Sequence, residues 1–488
     1  MRSILLKLLA VLVVIIVLVL GAIAWAQWSN SSDQVSDTTT GIEPTLVDPD
    51  PQTIPSVSLP KADGWAANAA PQPAAGLAVV RFAEGLDHPR TMLTLPNGDV
   101  LVAQTNAPAG NKPGGLTGLF MNFMMNRVGA GGPSPDMLVL LRDADGDGKA
   151  EARFDFRSAD MRSPSGMAFG NGKLYVANHD AVLEFPFRPG ATKLQGAPRK
   201  LMDLPPAGNH WMRNLLLSPD GKALYVAVGS ASNIAENGME AEAGRAVIWE
   251  IDTATGKRRI FGAGMRNPNG MAWNSATGEM WAAVQERDML SPDLVPDYLT
   301  NVPVGVQYGW PWVYWKDHFD DRVSWNMPVG MTDYTRKPEY AMGAHTAVLG
   351  LVFGQGGQRM GSAYASGAFL ARHGSWNRRP AVGYDVVFVP FDANGNPKAG
   401  KPVPVLSGFL APDGDKAYGR PTWLAWDKGG GLLVSDDTGG VIWRVIAPGS
   451  QPAPPIKPVV AERMAPQTEI KDPTQLKPED LLKALYGN

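Results

Sequence analysis

The sequence predicts an all-β protein, a six-bladed β-propeller with an N-terminal transmembrane or signal helix. Three features of the sequence support this fold. The 488 residues include 54 glycines and 42 prolines, a content that disfavours a mainly helical chain. An apolar strand, a glycine-containing turn and a second apolar strand recur six times between residues 89 and 437. An uncharged apolar run precedes these repeats at the amino terminus.

The amino terminus has the pattern of a membrane anchor. Arg2 and Lys7 come before nineteen uncharged, mostly apolar residues, numbers 8–26, and a helix of ~20 such residues spans the hydrocarbon core of a bilayer. Residues 24–26 also fit an A-x-A cleavage pattern, but the apolar run exceeds the ~7–15 residues of a signal-peptide core. We expect an uncleaved anchor that holds the protein on the periplasmic side of the inner membrane. Secretion to the periplasm after cleavage is the alternative.

Composition divides the rest of the chain into three parts. Residues 27–75 are rich in Ser, Thr, Asp and Pro, which predicts a flexible linker. The repeats place the propeller domain at residues 76–446. Residues 447–488 predict a proline-rich tail, in which Pro478 opens and Gly487 closes a short C-terminal helix.

Each of the six repeats predicts a β-hairpin, because two apolar runs flank a turn that contains glycine. Further strand-like segments lie between the repeats and complete sheets of four strands. Six such sheets bury their faces and protect their edges when they are arranged radially, which is the propeller architecture. The repeats begin at Pro89, Pro164, Met212, Pro268, Leu349 and Pro421.

Charge and cysteine content exclude several classes of function. The net charge of −3 and the pI of about 6.1 give no uniformly basic surface, so nucleic acid is not an expected partner. The chain contains no cysteine, which excludes disulfides, iron–sulfur clusters, cysteine-ligated zinc and a c-type haem attachment. Electrons handled by this protein therefore leave through an external carrier.

Hydrogen-bonding cations stand just ahead of five of the six repeats. Because the innermost strands of a propeller begin near one mouth of its channel, we expect these groups to line a common funnel. Guanidinium and imidazolium groups in one cavity repel one another unless an anion lies among them, which predicts a site for a polyanion. Separate capping of strand ends is the alternative. The residues are His88, Arg90, His210, Arg213, Arg266, Asn267, His345 and Arg420.

Five segments carry a resemblance to a known family. They are NHWMRNLLLSPDGKALYVAVGS, GMRNPNGMAW, QYGWPWVYW, RHGSWNRR and GRPTWLAWDKGGGLLVSDDTGG. In this order the chain resembles the glucose/sorbosone dehydrogenases that depend on pyrroloquinoline quinone (PQQ), especially the L-sorbosone dehydrogenases. The resemblance implies a six-bladed propeller with the planar quinone tricarboxylate and a calcium ion over its channel. It also implies oxidation of an aldose or sorbosone-like aldehyde sugar, with electrons passed to an external quinone or cytochrome.

The resemblance further implies roles for individual residues. His210 matches the general base, and its ordinary pKa of ~6.5 suits that role. Arg266 matches the cation that stabilises negative charge on the reactive quinone carbonyl. Cofactor contacts are implied for Arg266, Asn267, Asn269, Arg378 or Arg379, Arg420 and Thr438.

Two places are candidates for calcium. The resemblance implies that the main-chain carbonyls of Glu286 and Arg287 hold the ion beside the quinone. Separately, Asp143, Asp145 and Asp147 copy the first half of an EF-hand loop. The twelfth position of that loop carries no acid, so a metal-free hairpin turn is the alternative there.

Some features depart from the family pattern or leave alternatives open. Ser230 stands where soluble glucose dehydrogenases place an acid that orients the base histidine. His373 has no partner visible from spacing and is interpreted as structural. The Met- and Phe-rich residues 115–132 predict an amphipathic segment packed on the propeller, with a lid or a membrane contact as the alternative. A calcium-dependent lactonase or other hydrolase, and a non-enzymatic propeller tethered at the membrane, are the alternative functions.

Overall fold

The computed structural model describes residues 2–32, 38–108 and 115–450. Within them, six sheets of four or five strands form the blades of a ring, and their strands pair antiparallel except at the parallel edge strand of blade 3. The first strand of each blade contacts the first strands of both neighbouring blades, so these six strands surround a central channel. The predicted six-bladed propeller is confirmed.

Blades 1 to 3 follow one another along the chain. Blade 1 comprises Pro89–Thr94, Val100–Gln104, Met137–Arg142 and Ala152–Phe156. Blade 2 comprises Gly166–Gly170, Lys173–Ala177, Ala181–Pro186 and Arg199–Asp203. Blade 3 comprises Arg213–Leu217, Ala223–Val228, Val247–Asp252, Arg258–Ala263 and the added edge strand Val306–Gln307.

Blades 4 to 6 each include a strand from the amino-terminal part of the chain. Blade 4 comprises Asn267–Trp273, Met280–Gln285, Pro296–Asn301, Tyr340–Ala344 and Thr40–Gly41. Blade 5 comprises Val348–Phe353, Gly367–Arg372, Asp385–Pro390, Val403–Ser407 and Gln72–Pro73. Blade 6 comprises Pro421–Trp426, Leu432–Asp436, Val441–Ile446 and Ala78–Ala83.

Shorter elements decorate the ring. Two-stranded sheets pair Lys61–Ala62 with Lys416–Ala417 and Val313–Tyr314 with His318–Phe319. The α-helices in the described ranges are Arg2–Ser29, Gly115–Arg127 and Met331–Tyr334. The 3-10 helices are Met239–Glu242, Gly354–Gly356, Gln358–Met360 and Ser362–Tyr364.

The hydrophobic core is divided into layers between neighbouring blades. Six clusters of buried apolar side chains each join two consecutive blades, and the last of them joins blade 6 to blade 1. The second strands are therefore covered on both faces, and Val100–Gln104 and Ala223–Val228 are buried along their whole lengths. Continuous apolar strands, rather than alternating ones, are the result.

A strand from the amino-terminal side closes the ring. Ala78–Ala83 is the outermost strand of blade 6 and pairs antiparallel with Val441–Ile446. The two strands come from opposite ends of the propeller domain, so their hydrogen bonds join its first and last segments.

Glycine in the first strands allows neighbouring blades to approach closely at the channel. A Cβ added at Gly270 would lie 2.3 Å from the carbonyl oxygen of Leu349, which belongs to the next blade. Cβ atoms at Gly166 and Gly350 would meet backbone atoms of the following blade at 2.3 Å and 2.6 Å. These contacts explain the glycine of the recurring Gly-Met-Ala segment in blades 2 and 4.

Beyond an exposed helix, the described amino-terminal segment pairs with the propeller. The helix Arg2–Ser29 confirms the predicted apolar helix, and its part Leu6–Ser29 is long and apolar enough to cross a membrane. The segment predicted as a flexible linker contributes the short strands Thr40–Gly41, Lys61–Ala62 and Gln72–Pro73. The predicted C-terminal helix lies outside the described residues, and the domain boundaries stay predictions.

We expect Gly270→Ala to lower the free energy of unfolding by about 1–3 kcal/mol, because the added methyl group pushes two first strands apart. Denaturant titration of the full chain measures this change. Gly429→Ala is the matched control, since its Cβ would meet nothing closer than a side-chain oxygen of Asp427 at 3.3 Å. Equal losses in the two variants would contradict the close-approach explanation.

Candidate active site

Polar side chains from several blades meet at one end of the channel. In every blade the start of the first strand pairs with the end of the second strand. Residues that precede first strands and residues that follow second strands therefore share one mouth. We call this mouth the funnel and define it by Arg90, His210, Arg266, Asp288, His345, His373, Arg420 and Asp437.

His210 is held as a neutral base. Its Nδ1 lies 2.9 Å from the Ser230 carbonyl oxygen and 3.0 Å from Ser230 Oγ. Ser230 Oγ itself donates to the Ser232 carbonyl at 2.6 Å, so Nδ1 carries the hydrogen and donates it to Ser230. Burial, and next the charge of Arg266, lower the pKa of His210 to about 3. Nε2 makes no hydrogen bond with the described residues and keeps its lone pair.

The loop that carries His210 is fixed from beneath by Arg213. Arg213 is 0% exposed, and its Nη1 donates to the carbonyls of His210 at 2.7 Å and Met212 at 3.0 Å. The expectation that Arg213 faces the funnel is therefore wrong, because the main-chain carbonyls of this loop take its hydrogen bonds. Gly229 completes the support, since a Cβ there would lie 2.2 Å from Asn267 Oδ1 and 2.7 Å from His210 Cβ.

Arg266 is almost fully engaged by acceptors of the protein. Its Nε donates to the Asn233 carbonyl at 3.1 Å, and its Nη1 donates to the Glu286 carbonyl at 2.5 Å. Nη2 donates to Asn233 Oδ1 and to Asp288 Oδ2, both at 2.9 Å. Four of the five guanidinium N–H groups are thus used. One N–H of Nη1 is left without an acceptor among the described residues.

Asp288 links Arg266 to His345. The Nδ1 of His345 lies 3.4 Å from Asp288 Oδ1, and its Nε2 lies 2.9 Å from the Ser291 carbonyl. Burial alone would lower the pKa of His345, but the hydrogen bond and charge of Asp288 outweigh it and raise the pKa above its ordinary value. Burial likewise opposes the charge of Asp288, but Arg266 and then His345 hold the pKa of that carboxyl below its usual range.

A second carboxylate, Asp437, organises the other side of the funnel. Its Oδ2 accepts from Arg90 Nη1 at 2.6 Å and lies 2.9 Å from His373 Nε2. His373 and Arg90 outweigh the effect of burial and hold the pKa of Asp437 far below its usual range. Burial and the charge of Arg420 lower the pKa of His373 to about 4, so His373 is neutral near pH 7. His373, which had no partner visible from spacing, thus lies in the funnel with Asp437 as its partner, and its interpretation as structural stays a prediction.

Arg90 and Arg420 both retain donors for a ligand. Arg90 lies over the ring of Trp211 at 5.5 Å, and its buried Nε has no hydrogen-bond partner within the described ranges. Arg420 donates from Nε and Nη2 to the carbonyls of His373 and Gly374, both at 3.0 Å. No hydrogen bond from Nη1 of Arg420 is found among the described residues. These donors suit an anionic ligand above the channel.

The remaining residues predicted to bind the cofactor fall into two groups. Thr438 joins the funnel, because its Oγ1 donates to Asp437 Oδ1 at 3.2 Å, and Asn267 donates to Gln285 Oε1 at 2.8 Å. Asn269 is 1% exposed and donates to the Asn267 carbonyl at 3.1 Å within the channel wall.

Arg378 lies elsewhere. It is 2% exposed, and its Nη2 lies 2.9 Å from both Asp293 Oδ1 and Ser32 Oγ. Its neighbour Arg379 is exposed. The Arg378 guanidinium therefore ties the amino-terminal segment to blades 4 and 5 rather than pointing into the funnel.

The two candidate calcium positions are far apart. The Glu286 carbonyl already accepts from Arg266, and the Arg287 guanidinium is buried against Glu286 and the carbonyls of Pro311 and Val313. The Asp143, Asp145 and Asp147 carboxylates are joined by Glu151, with one oxygen of each within 4.8 Å of the others. This acidic cluster follows the third strand of blade 1, at the end of the channel opposite the funnel.

Comparison with known proteins assigns the chain to a family. The sequence model of the TrAA12-like family matches residues 140–301 and 330–447. The chain belongs to the TrAA12-like family. This match confirms, at the level of family and fold, the predicted resemblance to PQQ-dependent sugar dehydrogenases.

Two relatives show how far the sequence similarity extends. An uncharacterized protein of Borreliella burgdorferi is 27% identical over 296 residues, which cover 58% of this chain and 76% of that protein. A PQQ-dependent pyranose dehydrogenase of Coprinopsis cinerea is 33% identical over 138 residues. That match covers 24% of this chain and only 18% of the fungal protein.

Two solved structures with similar folds come from fungi. The calcium structure of the Trichoderma reesei family AA12 enzyme superposes with a TM-score of 0.61 at 19% identity, covering 78% of this chain and 98% of that one. The holo form of the pyranose dehydrogenase PQQ domain from Coprinopsis cinerea gives a TM-score of 0.59 at 20% identity, covering 79% and 98%. At such identities the likeness shows a shared propeller fold.

Asp288, Asp437 and His373 are the funnel residues that the sequence analysis of this TrAA12-like chain missed. Each follows the second strand of its blade, which ends at the same mouth where first strands begin. Because positions after second strands share a mouth with positions ahead of first strands, the repeat pattern places the two carboxylates and the histidine there as well.

Two histidines near Asp288 and Arg266 are predicted to titrate in opposite directions. Between about pH 8 and pH 5, we expect the ring C2–H resonance of His210 to stay at its neutral position, because its pKa is lowered to about 3. As the pH is lowered, His345 should take up its proton before the pH reaches the ordinary histidine pKa of ~6.5, because Asp288 raises its pKa. Proton NMR of the cofactor-free chain, assigned with His210→Gln and His345→Gln, measures both. Titration of His210 near pH ~6.5 would contradict the description of a buried neutral base.

Proposed function

We propose that the protein is a quinoprotein sugar dehydrogenase that oxidises an aldose or sorbosone-like aldehyde sugar with PQQ and passes the electrons to an external acceptor. The observation that carries the proposal is a neutral His210 with a free Nε2, beside Arg266 in a funnel of net positive charge. A base and a fixed cation in one cavity are the groups that hydride removal from a hydroxyl-bearing carbon requires. The similarity to a fungal PQQ-dependent pyranose dehydrogenase supports the cofactor and the sugar class.

The residues of the funnel fit a planar tricarboxylate. Arg90, Arg266 and Arg420 carry three positive charges, whereas Asp288 and Asp437 carry two negative ones, and Asp288 favours the charged form of His345. An anion with several carboxylates offsets the excess, and the unpartnered Nε of Arg90 offers it a buried donor. The residues proposed to hold the cofactor are Arg90, Asn267, Arg420 and Thr438, with Arg266 at its reactive carbonyl.

When bound, PQQ supplies a carbonyl carbon that accepts hydride. His210 Nε2 takes the proton of the sugar hydroxyl, while Nδ1–H stays on the Ser230 carbonyl and fixes the orientation of the ring. The remaining N–H of Arg266 Nη1 would donate to the oxygen of the reactive quinone carbonyl and stabilise the negative charge on it. Because Asn233 and Asp288 already hold this guanidinium in position, its charge acts without reorganisation.

In this chain the main-chain carbonyl of Ser230 orients the base His210, where soluble glucose dehydrogenases use an acidic side chain. A carbonyl oxygen fixes the tautomer of His210 but stabilises the imidazolium less than a carboxylate would. Asp288 supplies the negative charge nearby, since its charge raises the pKa of His210 against the larger effects of burial and Arg266.

Calcium has no part in the proposed reaction steps. At the quinone, the Glu286 carbonyl is hydrogen-bonded to the cationic Arg266, so the residues as arranged do not fit a calcium ion there and no step depends on one. An ion held by Asp143, Asp145 and Asp147 would lie at the opposite end of the channel, away from the reaction. The lactonase alternative gains no support, because Asp288 and Asp437 are both bonded to cations.

Reconstitution tests the proposal. Full-length chain in detergent, loaded with PQQ, is expected to bleach an artificial electron acceptor when aldoses are added. His210→Gln should lower kcat/KM by about 10²–10⁴-fold, the usual contribution of a general base, while PQQ still binds. His318→Gln, an exposed histidine paired with Asp317, is the matched control and should retain activity. Bound PQQ without turnover of any sugar would show that the dehydrogenase proposal is wrong.

Arg266→Ala should lower kcat by about 10²–10³-fold, the scale of losing one preorganised donor to an oxyanion. The cofactor-free variant should also unfold at a lower temperature than wild type, because Asp288 loses its buried partner. Thermal unfolding with and without PQQ separates the two effects. Arg199→Ala is the control, because it also removes the arginine partner of a buried carboxylate, Glu184, but on the outer strands of blade 2. The same PQQ-induced shift in Arg266→Ala and Arg199→Ala would mean that Arg266 does not contact the cofactor.

A further inference from the structure

Exposed apolar side chains are concentrated at one end of the propeller. Outside the helix Arg2–Ser29, nine large apolar residues are exposed in described segments at the funnel end. No large apolar residue is exposed in the described loops at the opposite end. The three others, Val80, Ile260 and Val403, lie on outer strands. The nine are Ile54, Leu119, Phe123, Phe319, Trp325, Met327, Val329, Tyr334 and Trp376. We call the surface that they share the funnel face.

Two insertions supply most of the funnel face. The helix Gly115–Arg127 lies in the connection between the second and third strands of blade 1, and this connection is at the funnel end. Residues 308–334 reach the same end. Within them, Trp310 Nε1 donates to the Asn233 carbonyl at 3.0 Å, and Arg322 Nη1 donates to the Asp288 carbonyl at 3.0 Å.

The membrane-spanning helix is fastened to the same face. Ser32 Oγ donates to Asp293, 2.6 Å from Oδ2, and Ser32 N donates to the Arg379 carbonyl at 2.7 Å. Asp293 and Arg379 lie in connections that follow the second strands of blades 4 and 5, at the funnel end. Gln27, in the last turn of the helix, donates to the Pro55 carbonyl at 2.5 Å.

Few residues separate the end of the helix from its first side-chain hydrogen bond to the propeller, which Ser32 donates to Asp293. Ser29 ends the helix and Ser32 is already bonded to the propeller, and three residues span at most ~10 Å. Trp25 and Trp28 are exposed near this end of the helix. Tryptophan is enriched where a transmembrane helix leaves the hydrocarbon region.

We infer that the funnel face lies on the surface of the bilayer that holds the helix. Exposed apolar groups gathered on one surface mark a contact that the isolated chain does not show. The helix keeps this surface within reach of lipid permanently, so contacts too weak to bind a free protein still hold an attached one. The mouth of the channel then opens toward the lipid headgroups, and the acidic cluster of blade 1 points away from the membrane. The inference does not depend on the proposed function.

Single cysteines test this orientation, because the chain has no cysteine of its own. Val329→Cys places a label at a position that is 102% exposed on the funnel face. Ala197→Cys is the matched control, an exposed position in the loop between the third and fourth strands of blade 2, at the opposite end. Each full-length variant carries an environment-sensitive fluorophore and is reconstituted in phosphatidylcholine vesicles with or without nitroxide-labelled headgroups.

The expected result is a blue-shifted emission and a loss of fluorescence to nitroxide lipid at Val329→Cys, with neither change at Ala197→Cys. Equal quenching at both positions, or stronger quenching at Ala197→Cys, would overturn the inference. A blue shift at Val329→Cys without nitroxide quenching would show that a second protein copy, not lipid, covers the face and would also overturn it. Phe123→Cys repeats the test on the other insertion. Sugar oxidation is not measured, so this outcome is independent of the dehydrogenase proposal.

Discussion

Closure of the ring by one antiparallel pairing, Ala78–Ala83 on Val441–Ile446, is the interaction on which the rest of the structure depends. It holds blade 6 complete, and a complete blade 6 gives blade 1 a neighbour on its second face. The core layer between these two blades, which includes Phe82 and Ile442, would otherwise face water. Only a closed ring brings all six first strands around one axis, and that arrangement places side chains from distant parts of the chain in one cavity.

The electrostatics of that cavity differ from a simple cluster of cations. Asp288 and Asp437 lie on two sides of the funnel, and each is shared between an arginine and a histidine. The two histidines respond in opposite directions, since Asp288 outweighs burial at His345, whereas burial and Arg420 dominate at His373. The repulsion that first indicated a bound polyanion is partly relieved by the protein itself. What is left is a smaller positive excess and a few unused donors.

The sequence predicted the fold well because the repeat is local. Five of the six hairpins with their turns occupy fewer than twenty residues and the other occupies 26, and six copies imply a ring. Positions at or just ahead of the start of first strands were also predictable, because topology alone places them at one mouth. That reasoning found Arg90, Arg266 and Arg420.

Side-chain direction and distant pairing were not predictable in the same way. Arg213 has the right charge and the right place in its repeat, yet it turns under its own loop to bind main-chain carbonyls. Arg378 binds Asp293, 85 residues away in the chain, and no local pattern reveals such a partner. The short strands of residues 40–73 are two residues each, too short to carry a periodic signal, so a composition typical of linkers was the only information available.

These short strands have a mechanical consequence. Between the apolar helix Arg2–Ser29 and the ring-closing strand, the chain is fastened at Ser32, and then by pairings to blade 4, to Lys416–Ala417 and to blade 5. A pull on this helix is therefore borne by the Ser32–Asp293 contact and by these attachments in turn. The strand that keeps the ring closed, Ala78–Ala83, follows these attachments in the chain and is therefore loaded last.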